Sequence, residues 1–194
     1  MQNLVLLYYN IQMLEFNFTP FPVIETERLI LDRLNKTDVK EVFEIRSNPE
    51  IMKYIPRSLA KNHEDALAHI NTINENIDKN IGINWAIRLK GDPKLLGIIG
   101  FYRTQFENYR SEIGYILNSD SHGKGIVPEA VNALTNYGFK KLKLHSIEGV
   151  IDPENYVTEK VLQKCGFVKE AHLKESEFWN GKFLDKVIYS LLEM

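Results

Sequence analysis

Gly123 and Gly125 stand in the run Asp120-Ser-His-Gly-Lys-Gly-Ile-Val-Pro-Glu-Ala130, between a stretch of strand formers at 111–117 and a stretch whose apolar residues recur at helical spacing. A strand-to-helix junction of this kind can hold phosphate. The glycines let the backbone turn sharply and approach a ligand with no Cβ in the way, and Pro128 suits a helix's first turn, where its missing N–H costs nothing. The amides of His122, Gly123, Lys124, Gly125 and Ile126 are then expected to face an anion, with the helix dipole adding to the attraction. Taken alone, such a pair is as readily a tight turn. There is no Gly-x-x-x-x-Gly-Lys-Ser/Thr run, which argues against a nucleoside triphosphate loop, and no third glycine completes a dinucleotide spacing. A diphosphate-bearing carrier of another kind is left.

Those glycines need elements to hold them. Residues 29–34 read as a first strand; Asn35 or Thr37 can cap a helix to about Arg46, and Asn48-Pro49 stops it. A second helix is expected at 62–79, with Ala66, Ile70, Ile73 and Ile77 on one side. Strand-like runs at 83–90, 95–103 and 110–118 follow, joined by short polar connections that favour an antiparallel meander. The Gly-rich turn opens a long helix to about Lys143 and then a strand at 146–151. Strand, helix, strand in that order implies a parallel crossover, so a mixed sheet in an α+β fold is expected. A short helix at 155–164, ending at Cys165-Gly166, precedes closing strands at 167–177 and 183–192, with Asn180-Gly181 as a two-residue hairpin signal.

With 194 residues, 44% hydrophobic and 26% charged, the chain can bury a core and reads as one domain, placed at 22–194 behind an N-terminal extension at 1–21. Met13 is a candidate natural start. The apolar residues before it lack the positive flank and cleavage site of an export signal, and are too short and interrupted to span a bilayer. A balance of 24 basic against 26 acidic residues argues against nonspecific nucleic-acid binding. The single cysteine, Cys165, excludes an intramolecular disulfide framework and suits a reducing cytoplasm, and the histidines show no metal-ligand spacing.

Five stretches stand in order: Glu25-Thr-Glu-Arg-Leu-Ile-Leu31; Glu112-Ile-Gly-Tyr115; Gly123-Lys-Gly-Ile126 with Glu129-Ala130; Asp152-Pro-Glu-Asn155 with Gly166-Phe167; and Asn180-Gly181 before a strand ending Tyr189-Ser-Leu-Leu192. In that order and spacing they resemble the GNAT acetyltransferases, and within them the RimJ/RimL type that acetylates ribosomal-protein amino termini. The resemblance covers about residues 25–194. It implies the GNAT fold, a twisted, mostly antiparallel seven-stranded sheet with a splayed parallel strand pair and about four helices. It also implies acetyl-CoA as the donor and no metal. The coenzyme's pantetheine arm would pair with backbone around Ile116 and Leu117, its diphosphate would lie on the turn from His122 to Ile126, and Asn155 would touch it or cap the short helix. One departure is Asp120, where the superfamily usually has Gln or Arg; an acid there is expected to face solvent or cap the turn.

Acetyl transfer from a thioester needs a neutral amine and a proton for the departing thiolate. An α-amine, with a pKa of about 7.7 to 8.0, is partly neutral near pH 7, so a modest base is enough. The RimL-like pattern puts that base at Glu177, with Glu175 on the same face and Glu112 as another candidate, and puts a proton donor at Thr158. Leu162 occupies the position where many GNAT enzymes carry a catalytic tyrosine. Cys165 reads as a packed apolar residue rather than an acyl carrier. Trp85, Phe101 and Tyr115 read as sheet residues, although Trp85 could also line an acceptor groove.

The acceptor expected is a protein amino terminus such as that of a ribosomal protein. The alternatives are a small amine (polyamine, amino acid or antibiotic) or a noncatalytic acyl-CoA-binding module. Arg57, Lys61 and Arg103 give no decisive charge pattern for choosing among acceptors. No direct nucleic-acid or membrane partner is expected, and the protein would be a monomer or homodimer.

Overall fold

The computed structural model describes residues 14–193, so the candidate start at Met13 lies outside the described residues. Among the described residues eight strands form one sheet in the order β1-β2-β3-β4-β5-β6-β8-β7. They are β1 (Ile24–Glu25), β2 (Leu29–Asp32), β3 (Ile83–Leu89), β4 (Gly97–Gln105), β5 (Arg110–Leu117), β6 (Ser146–Ile151), β7 (Val168–Trp179) and β8 (Lys182–Leu192). All neighbours run antiparallel except β5 and β6, because the chain between them crosses over through a helix. The expected architecture is therefore present, with the two-residue β1 as an eighth strand. So short a strand carries no readable periodicity and is set by its register, Ile24 opposite Leu31.

Among the described residues five helices accompany the sheet: α1 (Val39–Arg46), α2 (Pro49–Met52), α3 (His63–Asp78), α4 (Ile126–Lys140) and α5 (Tyr156–Lys164). Asn35 caps the entry to α1 through a reciprocal capping box with Asp38. Asn48-Pro49 ends α1 as expected and also starts α2. The Asn48 side chain accepts from the amides of Glu50 and Ile51, and Pro49 fills the first helical position. At the far end Asn180 and Gly181 take positive φ, the conformation a two-residue hairpin requires.

Side-chain alternation divides the sheet into two working faces. Leu29, Leu31, Trp85, Phe101, Ile113 and Ile147 pack with α4 and α5 in the fully buried core. Trp85 belongs wholly to it: its indole N–H donates to Pro22 O, and its ring meets Phe101 and Tyr137 edge-on. It therefore does not line an acceptor groove. Leu14, Phe16 and Phe18 join the same core, so the packed unit starts before residue 22 and residues 14–21 are not an appended tail.

The other face carries polar groups beneath α1 and α3. Arg88, only 7% exposed at its side chain, bonds Asp38 at 2.8 and 2.9 Å, Asp32 at 2.9 Å and Pro93 O at 2.6 Å. Burial alone would lower the guanidinium pKa, but the two carboxylates outweigh it and raise the value. This pairing fixes the entry of α1 against β2 and β3.

Candidate functional site

Asn118 shapes the turn after β5. Its side chain accepts from Asp120 N at 3.0 Å, and a 3-10 turn over Ser119–Ser121 leads to Gly123 and Gly125, at φ 73° and 74°. Gly125 is the left-handed cap of α4. Among the described residues, no acceptor pairs with the amides of Gly123, Lys124, Gly125, Ile126 or Val127. A Cβ built on Gly123 would meet nothing within 4 Å, so the space in front of these donors is open. The expected amide set shifts by one residue. His122 N is spent on Ser119 O at 3.1 Å, inside the 3-10 turn, and the His122 ring reaches back to Leu117 O at 3.2 Å. Asp120 is exposed, and Asn118 caps the turn in its place.

A latch holds this turn from behind. Arg28 donates to Lys124 O at 3.0 Å and to the Glu129 carboxylate at 2.7 Å, while Thr26 Oγ1 and Arg28 N also donate to Glu129. Partial burial pushes the Glu129 carboxyl up, but the bonds from Thr26 and Arg28 outweigh it and hold the group below the usual range. Turning Lys124 O toward Arg28 leaves the neighbouring N–H groups facing outward. Glu129→Gln is expected to raise KM for the diphosphate-bearing donor a few-fold with kcat kept, read by steady-state kinetics, since a partly exposed ion pair contributes about 1 kcal/mol or less. Arg28 and Thr26 were legible only as members of a motif, because their partner lies 101 to 103 residues away.

The parallel pair is splayed. β5 and β6 pair only at Arg110–Ser146, Ser111–Ile147 and Glu112–Glu148, although both strands continue beyond. Asn118 N donates to Leu96 O at 2.8 Å, which sets the alternation along β5. Ile98–Ile116 and Gly100–Gly114 are thus the hydrogen-bonded pairs with β4, and the backbone of Tyr115 and Leu117 faces the gap. Of the two residues expected there, Leu117 faces the gap, where its carbonyl takes the His122 ring, and Ile116 does not.

At the edge of the gap Asn155 caps α5 by accepting from Thr158 N at 3.2 Å. Thr158 is half-buried, one turn before Leu162, whose side chain packs over Gly149. The Tyr115 hydroxyl is buried beside Thr158. Among the described residues no partner meets hydrogen-bond geometry, although the threonine is near enough to offset part of the upward shift that burial imposes on the phenol. Sequence reasoning passed over Tyr115 as a sheet residue. Cys165, its thiol pushed up by burial and lying 3.8 Å from Pro128 O, is packed between α4 and α5. Asn155→Ala is expected to cost about 0.5 to 2 kcal/mol, measured by urea unfolding, through loss of the cap.

Carboxylates gather on the opposite face. Glu112, 14% exposed, bonds Arg103 at 2.7 Å; Glu177, 27% exposed, bonds Lys186 at 3.0 Å; and Glu148 lies 3.6 Å from Arg110. Burial raises the Glu112 carboxyl, against the pull of Arg103 and with help from Glu148. Arg103 itself has φ 46°, at the irregularity between Tyr102 and Gln105. Glu175 does not share the face of Glu177. The ladder slips between Leu173 and Glu177, and Glu175 sits at φ 50° with its amide on Asp185. Thr158 and Glu177 are likewise not in contact, since they belong to opposite faces with the gap between them.

A turn with outward amides thus lies beside a pair of parted strands, an arrangement that offers donors to an anion and free backbone to an extended amide-bearing arm. Residues 28–168 match the acetyltransferase (GNAT) domain family. The chain is 31% identical over 173 residues to the uncharacterized N-acetyltransferase YoaA of Bacillus subtilis (strain 168), covering 89% of this chain and 98% of that one. It superposes on a GNAT-family acetyltransferase from Bacillus anthracis with a TM-score of 0.78 at 32% identity, over 88% of this chain and 98% of that one. The spermidine N(1)-acetyltransferase of Vibrio cholerae is 26% identical over 161 residues, 81% of this chain and 89% of its own. The ribosomal-protein-serine acetyltransferase of Escherichia coli (strain K12) is 30% identical over 99 residues, 51% and 55%. The chain belongs to the GNAT acetyltransferase family and is an acetyl-CoA-dependent N-acetyltransferase. Among the described residues no helix is long and apolar enough to cross a membrane.

Proposed function

We propose that the protein acetylates the α-amine of a protein amino terminus, of the kind ribosomal proteins offer, in the cytoplasm. The observation that carries this choice of acceptor is how the carboxylates around the gap are paired. Glu112 holds Arg103, Glu177 holds Lys186, and Glu148 and Glu170 share Arg110, so three cations answer these four carboxylates and only one negative charge is left over for a polycation. A polyamine would need unpaired carboxylates, whereas a peptide amine needs one base and a groove. The small-amine reading is favoured only by the longer match to the spermidine enzyme.

Bound acetyl-CoA supplies an activated acetyl group as a thioester. The amides from Gly123 to Val127 and the positive end of α4 would balance the diphosphate charge, and the Tyr115 and Leu117 backbone would pair with the amide-bearing arm. Glu112, raised by burial and seated at the last paired position before the gap, takes the proton of the incoming ammonium, directly or through water. Glu177, held by Lys186, keeps Arg103 and the acceptor in place. Thr158 with the Tyr115 hydroxyl gives a proton to the departing sulfur. Asn155 orients Thr158 and can also reach the carrier.

Thiol release from acetyl-CoA, with mass spectrometry of the product, tests the acceptor. Peptides beginning with serine or alanine should show kcat/KM at least about 10-fold above spermidine, the size of a single favourable contact of roughly 1.4 kcal/mol. The reverse order would transfer the assignment to small amines.

A further inference from the structure

Seven arginines occur in the chain, and Arg28, Arg33, Arg88, Arg103 and Arg110 each hold a carboxylate. Among the described residues Arg46 and Arg57 hold none, and these two stand together. Arg46, half-buried in the last turn of α1, has its pKa lowered by burial and then by the charge of Arg57. The His69 imidazole on α3 is driven down to about 4 by burial and then by both guanidinium groups. Ala60 N donates to Arg46 O at 3.0 Å, which folds the loop carrying Arg57 and Ser58 back onto α1. A pocket of about 320 Å³ opens there, lined by Arg46, Ser58, Lys61, Asp65 and His69 among others. Asp65, the one carboxylate in the lining, accepts from Lys61 N and reaches neither arginine.

Crowding the Arg46 guanidinium and the His69 imidazole around a cavity, with the Arg57 charge close behind them, is unfavourable unless something negative enters it. The charges of Arg46 and Arg57 also reach the sheet face that carries Glu112. The Tyr102 phenol accepts from Asn84, feels the charge of Arg46 and Arg57, and lies against Gly114, the residue before the open Tyr115 backbone. We propose that Arg46, Arg57 and His69 anchor a carboxylate or phosphate carried by the acceptor amine, so that the enzyme selects anionic acceptors. The inference rests on the transferase reading above and deepens it. Guanidinium groups suit such an anion because they bind its oxygens in a bidentate fork.

Two measurements keep the inference and the transferase reading separable. Titrating the whole protein with inorganic phosphate while following the His69 ring by NMR should shift its signals and raise its titration midpoint. Burial sets this midpoint first and the charges of Arg46 and Arg57 next, while Lys61 and Asp65 are the other charged groups lining the pocket. Arg46→Gln with Arg57→Gln should abolish the response, and a silent His69 in the wild type would overturn the anion site.

In the thiol-release assay, a peptide with acidic second and third residues should show KM about 10- to 100-fold below its amide counterpart, an advantage the double variant loses with kcat kept. Phosphoethanolamine, run in parallel, distinguishes a phosphate on a small amine from a peptide carboxylate. Equal KM for acidic and neutral acceptors, or a preference for spermidine, would overturn the anchor. A His69 response with no amine turned over would sink the transferase reading and leave the anion site standing.

Discussion

Replacing Gly123 with valine should raise KM for acetyl-CoA by about 10²-fold or more while a folded, soluble protein is retained. The estimate corresponds to losing two charge-assisted hydrogen bonds at about 1.5 kcal/mol each. Because a Cβ at Gly123 meets nothing within 4 Å, the added side chain projects into the space before the outward amides and blocks only a ligand. Its φ of 73° adds backbone strain of about 1 to 2 kcal/mol. Gly91→Val separates the two effects, since Gly91 has φ 81° and equally open surroundings in the separate turn that follows β3. Strain alone would lower stability in both variants and leave KM unchanged in the second. An unchanged KM in folded Gly123→Val protein would remove the turn from donor binding.

Glu112→Gln should lower kcat by 10²- to 10⁴-fold, the range general bases supply, and Glu177→Gln by only a few-fold. Both carboxylates face the acceptor side, but Glu112 is the more buried and is raised above the ordinary glutamate value. The base acts deprotonated, so in the wild type kcat/KM should fall with decreasing pH from a point above the usual glutamate range. In Glu112→Gln that acid limb should vanish. Arg103→Met removes the charge that pulls the Glu112 pKa down, so the limb should move to higher pH. A larger kcat loss in Glu177→Gln than in Glu112→Gln would reverse the assignment and return the base to the residue the family pattern favours.

The legible parts of this chain were the local ones. Asn180-Gly181 dictates its hairpin because both residues tolerate positive φ, and Asn35 and Asn155 cap helices through bonds spanning three residues. The Gly123 and Gly125 turn falls in the same class. Its two glycines meet their φ requirement within the turn itself, so the anion cradle could be read before any contact was known.

What sequence alone determined was therefore the order of elements, the glycine turn that opens α4 and the family. Only the tertiary structure decided which strand residues face the gap, because the side of a ladder a backbone faces depends on register, and register is set by the Asn118–Leu96 bond. Likewise, a slip in the β7–β8 ladder parted Glu175 from Glu177, and burial, which no single residue encodes, raised Glu112. Arg28 meeting Glu129 and Arg46 meeting Arg57 belong to the same category. Electrostatic partners act through space at a few ångströms, and the chain specifies that distance only after its core has closed.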